Sequence, residues 1–346
     1  MRRLLGYFVG MKPLARFFHP LCLASSLGKK PRRVTVANEH YALFRDLQGQ
    51  PAALLDRCPH RFAPLSAGRI RPDGRLACPY HGWHFDREGH GKSPSQPNLT
   101  RCDTPALQVV EKYGFLWGAA PGVSLDNLPN YGWDGFSLAG GFSTRFRAPL
   151  HVSFDNFSED EHTPFVHTRL GWEEKDCASI EFEAKNFDDR TEVHYRAPQR
   201  RSQFLRLVGL SPGDWFRNDW VTRFAPVHSV YQISWTDPEG SVTRPIRVNI
   251  AIYMVPETET ITLFHVLVWS RFDAQNLLQR AISSIVPPLA KWLTWGEVWD
   301  DARFIPTVAE TPFSLRGMRL GRFDKPIVHN HKLLRSLYWG DFAEES

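Results

Sequence analysis

Cys58-Pro-His-Arg-Phe-Ala-Pro-Leu-Ser-Ala-Gly68 and Cys78-Pro-Tyr-His-Gly-Trp83 are the two stretches on which the reading of this chain turns. The first sets Cys58 and His60 in C-x-H spacing. The second, after 17 intervening residues, sets Cys78 and His81 in C-x-x-H spacing. Two thiols and two imidazoles form a four-ligand metal set. Structural zinc competes for the same set. Three features favour iron and sulfide. One residue separates Cys58 from His60, whereas zinc ligand pairs are usually spaced by roughly two to four. Both pairs lie in loops rich in Pro and Gly rather than on a finger helix. Each pair mixes Cys with His, so each loop can offer one ligand to each of two irons. That is the pattern of a [2Fe–2S] centre with two thiolates on one iron and two imidazoles on the other.

Composition bounds the rest. A chain of 346 residues suggests about two domains. With 24 Phe, 12 Trp and 9 Tyr it has far too much apolar bulk to be disordered. The most apolar stretch, 281–293, carries Pro287, Pro288 and Lys291, so no membrane insertion is expected. Five cysteines are too few for a disulfide scaffold. A net charge of +5 is too mild to argue for nucleic acid and suits transient docking of an acidic protein. Residues 1–33 read as a basic lead-in segment. The apolar run Leu4–Gly10 is short, and Lys12 and Arg16 interrupt any extension of it.

Short strands are expected at Val34–Ala37, Tyr41–Arg45 and Ala52–Leu55, and residues 34–125 form an all-β module. Residues 123–150 read as a Gly-rich connection, and Ser153–His167 as acidic and helical. Long strands follow at Thr191–Ala197, Val221–Trp235, Arg247–Val255 and Thr260–Trp269. A helix from Ala274 is broken at Pro287-Pro288 and resumes to about Ile305. The fold class is α+β: a small β domain, then an antiparallel sheet holding helices.

The two Cys/His stretches, with Phe18-His19-Pro20 and Tyr41-Ala-Leu-Phe-Arg-Asp46, resemble the Rieske non-haem iron oxygenases over nearly the whole chain. The likeness is to their vanillate O-demethylase-like or phenylpropionate dioxygenase-like group. It implies a Rieske [2Fe–2S] domain at 34–125, with Cys58, His60, Cys78 and His81 as cluster ligands. A helix-grip catalytic domain is implied at 126–346. Gly82 would let the backbone approach the cluster, Trp83 would shield it, and Arg61 would favour its reduced state.

An oxygenase needs a second iron held by two histidines and a carboxylate. Asp155-Asn-Phe-Ser-Glu-Asp-Glu-His-Thr-Pro-Phe-Val-His167 supplies two histidines five apart. On an unbroken helix they would point about 140° apart, so Pro164 is expected to break it. The resemblance implies iron ligation by His162 and His167. Glu159 stands at the bridging acid position, where the family usually has Asp, and Asn156 opens the motif. For the third ligand the candidates are Glu297, Asp300 and Asp301. Trp295, Val298, Ala302 and Ile305 share one helical face, which Asp301 borders. The family's paired-acid motif implies Asp301 as the ligand, and an exposed acidic cluster accounts for the other two.

The resemblance implies a terminal oxygenase component using a Rieske cluster, a mononuclear Fe(II) and O₂. No dinucleotide fingerprint is present, so NAD(P)H would act indirectly, through a separate reductase and/or ferredoxin. A head-to-tail homotrimer is implied, in which His81 of one subunit meets Glu159 of the next. The expected activity is hydroxylation or demethylation of a small aromatic or cyclic substrate, in the cytoplasm. Ring cis-dihydroxylation, a Rieske electron carrier and a zinc-structured module are the alternatives. Phe204, Leu207, Phe216, Phe224 and Trp235 are expected pocket liners. Cys22, Cys102 and Cys177 read as buried thiols, and His84 and His90 fall outside the motif. Iron analysis separates these readings: about three irons per chain for the oxygenase, about two for a carrier. Cys58→Ala should lose the visible absorption of the cluster.

Overall fold

The computed structural model describes residues 13–99, 102–201, 206, 208–274 and 276–340. The run Leu4–Gly10, Lys12, Phe204 and Leu207 lie outside the described residues. The chain divides into two compact units, residues 1–130 with 255–259, and residues 131–254 with 260–346.

The first unit is all-β. Its strands are β1 (His19–Leu23), β2 (Arg32–Val36), β3 (Glu39–Arg45), β4 (Pro51–Leu55), β5 (Arg69–Ile70), β6 (Leu76–Ala77), β7 (His84–Phe85), β8 (Gly91–Lys92), β9 (Ala106–Lys112) and β10 (Phe115–Ala119). A six-stranded sheet runs in the order β1-β10-β9-β4-β3-β2, and a four-stranded sheet in the order β5-β6-β7-β8. β1 falls inside the expected lead-in segment, yet it pairs antiparallel with β10 and is an integral edge strand. Its His19 is fully buried, and burial lowers its pKa to about 4, so it is a neutral core histidine. Phe44, Leu54, Leu65, Leu76 and Phe85 form a core that also encloses Cys58 and Cys78.

The two Cys loops share one backbone pattern. Cys58 N–H donates to Ala63 O and Phe62 N–H to Cys58 O; Cys78 N–H donates to Trp83 O and Gly82 N–H to Cys78 O. The corner residue four after each Cys is left-handed, Phe62 at φ 60° and Gly82 at φ 72°. A Cβ on Gly82 would meet only Pro94 Cγ, at 3.6 Å, so glycine serves the turn there.

The second unit holds β11 (Ser137–Phe146), β12 (Glu181–Asn186), β13 (Arg190–Pro198), β14 (Trp215–Phe224), β15 (Val227–Thr236), β16 (Thr243–Thr258) and β17 (Ile261–Phe272). The tip of the β16–β17 hairpin, residues 255–259, is counted with the first unit. These strands form one sheet in the order β11-β17-β16-β15-β14-β13-β12. The helices are α1 (Leu150–Asp155), α2 (Thr163–Val166), α3 (Leu277–Ile282), α4 (Val286–Phe304) and α5 (Lys325–Leu333). α4 packs on β11 and β17.

Four expectations need correction. Residues 123–150 contain β11, whose Gly140-Gly141 pair sits at a bulge and reads in sequence as a linker. Val221–Trp235 is the end of β14 and most of β15, joined by a turn at Ala225-Pro226. Pro287-Pro288 does not break a helix. The pair lies in the first turn of α4, where a missing N–H costs nothing. The buried face of α4 is Val286, Ala290, Thr294, Val298, Asp301, whereas Trp295 is 40% exposed. Asp301 is therefore part of that face.

Gly68 marks a close approach: a Cβ there would lie 2.0 Å from Ala77 O. Gly68→Ala should destabilise the first unit by about 2–3 kcal/mol, read by urea unfolding. Because Ala77 precedes Cys78, the cluster chromophore should bleach at lower urea than in the parent protein.

Candidate metal centres

In the first unit the structure brings Cys58, Cys78, His60 and His81 together. The thiols are 1% and 2% exposed, whereas both imidazoles face solvent. The His60 and His81 rings lie 4.6 Å apart, and His60 stacks on Trp83 at 4.7 Å with planes 3° apart. Trp83 thus fixes an imidazole plane. Burial pushes the Cys58 thiol up to about 11, and the adjacent Cys78 adds to the shift. Two buried thiols side by side ionise when a metal takes the charge. The donor set fits a [2Fe–2S] cluster with its sulfur ligands inside and its imidazole ligands at the surface.

In the second unit α2 is one turn long, with His162 at its N-cap and His167 at its C-cap. Pro164 starts this turn rather than breaking a longer helix. His167 leaves it in extended conformation, at φ −93° and ψ 142°, so the helical angle between the two histidines never applies. Their Nε2 atoms come within 3.2 Å of each other, and Asp301 Oδ1 on α4 lies 3.4 Å from each. A cation about 2.0–2.2 Å from each donor fits such a triangle. Two imidazoles and one carboxylate are the donor set that leaves positions open on Fe(II).

The surroundings hold each donor in place. Asn156 Nδ2 donates to Asp301 Oδ1 at 3.1 Å. Glu159 pairs with His162 Nδ1 and also accepts from the Glu161 N–H. Glu297 Oε2 lies 3.1 Å from His167 Nδ1, a placement that sequence reasoning missed. Glu297 precedes Asp301 by four residues, one helical turn, so the spacing was there to be read. The Arg200 guanidinium donates to the carbonyls of His167, Pro164 and Trp172. Asp300 turns away to Arg169, 2.6 Å distant.

Burial opposes protonation of His162, but Asp301 and Glu159 outweigh it and raise its pKa well above the ordinary value. His167 shifts down, chiefly by burial. Burial pushes Glu297 up to about 7, with Asp301 and Asp300 adding to the shift. Burial likewise raises Asp160 to about 6, although Trp172 Nε1 and Thr163 Oγ1 each donate to it at 3.0 Å.

A cavity of about 190 Å³ opens beside the triangle. Phe216 and Trp235 line it as expected, joined by Trp220, Tyr231, Val248 and Ile250. Phe224 does not. It is fully buried against Phe154, at 5.6 Å between ring centroids. Cys22 and Cys102 are buried as expected, and Cys177 is only partly so.

A thiolate–imidazole cluster site on a β unit, with a two-histidine, one-carboxylate site on a following α+β unit, defines a Rieske-linked mononuclear iron protein. The profile of the Rieske [2Fe-2S] domain matches residues 17–111, and that of the vanillate O-demethylase oxygenase C-terminal domain matches residues 146–286. The chain belongs to the Rieske non-haem iron oxygenases. It is 31% identical over 221 residues to the vanillate O-demethylase oxygenase subunit of Pseudomonas sp. (strain HR199 / DSM 7063), covering 59% of this chain and 60% of that one. It is 32% identical over 167 residues to the chloroplastic chlorophyllide a oxygenase of Chlamydomonas reinhardtii, covering 46% and 26%. The match to these two relatives thus spans between a quarter and three-fifths of their own lengths. Dicamba monooxygenase bound to dicamba shares the fold, with a TM-score of 0.76 at 21% identity over 96% of this chain and 100% of that one.

Two measurements test the triangle. Co(II) should bind the second unit and release a proton from His162, so its apparent affinity should rise roughly tenfold per pH unit until His162 is deprotonated. Visible absorption titrations from pH 6 to 8 read this out, and a flat profile contradicts it. Asp301→Ala should abolish Co(II) binding, while Asp300→Asn should change its affinity by less than about threefold.

Proposed function

We propose that this protein is a terminal oxygenase component that hydroxylates or demethylates a small organic substrate with O₂. The observation that carries the reading is the His162–His167–Asp301 triangle opening onto an apolar cavity, in a chain that also holds a Rieske ligand set. Among the described residues no helix is long and apolar enough to cross a membrane. On this reading the protein works in the cytoplasm, with a separate reductase or ferredoxin drawing on NAD(P)H. Relatives named as O-demethylases and a monooxygenase favour those reactions over ring dihydroxylation.

In this proposal Cys58, His60, Cys78 and His81 hold the cluster, and His162, His167 and Asp301 hold the iron. When bound, the cluster would provide single electrons and the iron would provide the site of O₂ chemistry. The chain's own residues have four tasks. Asn156 orients Asp301 through a hydrogen bond, and Glu297 sets a carboxylate charge beside His167 Nδ1. Glu159 holds the His162 Nδ1 proton. The aliphatic and aromatic wall positions the substrate and excludes water. The exposed His81 edge is free to meet Glu159 of a neighbouring subunit in a homotrimer.

Glu159→Gln should leave both metals bound and cluster reduction by dithionite fast, while product formation falls by about 100-fold or more. Co-expressing an inactive Cys78→Ala chain with an inactive His162→Ala chain should restore part of the activity, because a mixed trimer places an intact cluster beside an intact iron. Mixed trimers with no activity would favour transfer within one chain.

A further inference from the structure

The cavity beside the triangle specifies the charge and polarity of what enters it. Four acids line it, Glu159, Asp160, Glu297 and Asp301, and no Lys or Arg among the described residues does. Arg201 and Arg206, between the liners Gln199 and Val208 in sequence, are exposed and neither lines the cavity. The two guanidiniums that reach the histidine-bearing segment are committed. Arg200 serves three carbonyls and Arg169 serves Asp300 and Glu297. A bound divalent ion adds two positive charges, which Asp301 and Glu159 already answer. A carboxylate in the apolar part of the cavity would therefore be buried without a cationic partner and beside like charge.

The neutral polar side chains narrow the choice further. Tyr231 donates to Phe157 O at 2.7 Å, and Thr294 Oγ1 donates to Ala290 O at 2.9 Å. Gln199 accepts from Trp235 Nε1 at 2.8 Å and donates to the Gly171 and Arg200 carbonyls. Each is satisfied within the protein. Asn218 differs. It lies on β14 opposite Ile233 and lines the cavity, and its Oδ1 is buried without a hydrogen-bond partner; the other unpartnered buried atoms among the liners, His167 Nδ1 and Glu297 Oε1, belong to the charged cluster at the triangle. A buried unpaired amide oxygen is costly, and a ligand that donates to it relieves that cost. Two strands away in the same sheet, in the row Asn218–Ile233–Val248, β16 presents to the cavity only aliphatic side chains, Ile246, Val248, Ile250 and Ile252.

We infer that the substrate is an uncharged, largely apolar molecule bearing one hydrogen-bond donor, a hydroxyl or an N–H, which Asn218 Oδ1 accepts. Asn218 is thereby a specificity residue, since it sets which end of the molecule lies away from the aliphatic wall. The inference rests on the oxygenase reading for the word substrate, and on the cavity alone for the chemistry of the ligand.

Binding tests it independently of turnover. Iron-loaded protein under anaerobic conditions is titrated calorimetrically with 4-methoxybenzyl alcohol, 4-methylanisole, 4-methoxybenzoate and 4-methoxybenzylamine. Cyclohexylmethanol and cyclohexanecarboxylate give the same contrast on a saturated frame. The alcohols should bind about tenfold tighter than 4-methylanisole and roughly a hundredfold tighter than the carboxylates. Asn218→Leu should remove the preference for the alcohol over 4-methylanisole without weakening 4-methylanisole itself. Tightest binding of a carboxylate or of the amine overturns the inference. So does a preference that survives Asn218→Leu, or the failure of every neutral compound to bind. Oxygen-dependent turnover of a carboxylate in preference to the alcohols would sink the substrate class and keep the oxygenase reading. The expected binding order with no product from any compound would do the reverse.

Discussion

Negative charge gathered around two imidazoles in a dry interior is the constraint that organises the second unit. Asp301, Glu159, Glu297, Asp300 and Asp160 all lie within a few side chains of His162 and His167. Like charges at such density in low dielectric repel strongly unless each is answered. The fold answers them one at a time. Arg169 takes Asp300 and approaches Glu297; Trp172 and Thr163 hold Asp160. Glu297 is left partly protonated near neutral pH. What remains is Asp301 and Glu159 facing His162, a balance that a divalent cation completes. This is why α4 and α2 must meet, and why Arg200 clamps three carbonyls around the short turn that carries the histidines.

Much of this was legible in the sequence, for identifiable reasons. The Cys58–His60 and Cys78–His81 spacings are chemical statements that need no knowledge of packing. Strands β2, β3 and β4 and the all-β character of the first unit were legible because Gly and Pro punctuate short apolar runs, whereas β1 hid in a basic lead-in. The catalytic segment was located but its geometry was misjudged, because a proline can begin a helical turn as readily as end one. The face of α4 was misread through Trp295, where hydrophobicity suggested burial and the ring is 40% exposed. Asp301 was placed at the border of that face by helical spacing anchored on Trp295; anchored on Thr294 and Val298 the same spacing puts it inside, where a metal site accommodates its charge. The β11 edge strand escaped because a bulge with two glycines has the composition of a linker. Arg169 and Asn218 had no local signal, since their roles arise from partners distant in the chain.

The two ligand sites illustrate opposite uses of exposure. At the cluster site the thiols are buried and the imidazoles face water, so the imidazole edges are the part of the ligand set open to solvent. At the triangle His167 and Asp301 are buried, His162 is nearly so, and access runs through an apolar cavity. The first arrangement suits a group that trades electrons, and the second suits one that must keep water away from a reacting centre.

The twin corners of the Cys loops carry a last consequence. Gly82 adopts its left-handed turn freely, whereas Phe62 holds the equivalent corner at a cost of roughly 1–2 kcal/mol. The Phe62 ring is 61% exposed and sits under the Arg57 guanidinium at 3.7 Å, a contact that offsets part of that strain. A drift to glycine at this position would gain folding free energy and erase an aromatic knob at the rim of the cluster loops. The corner thus sets backbone ease against an exposed aromatic surface beside the cluster loops.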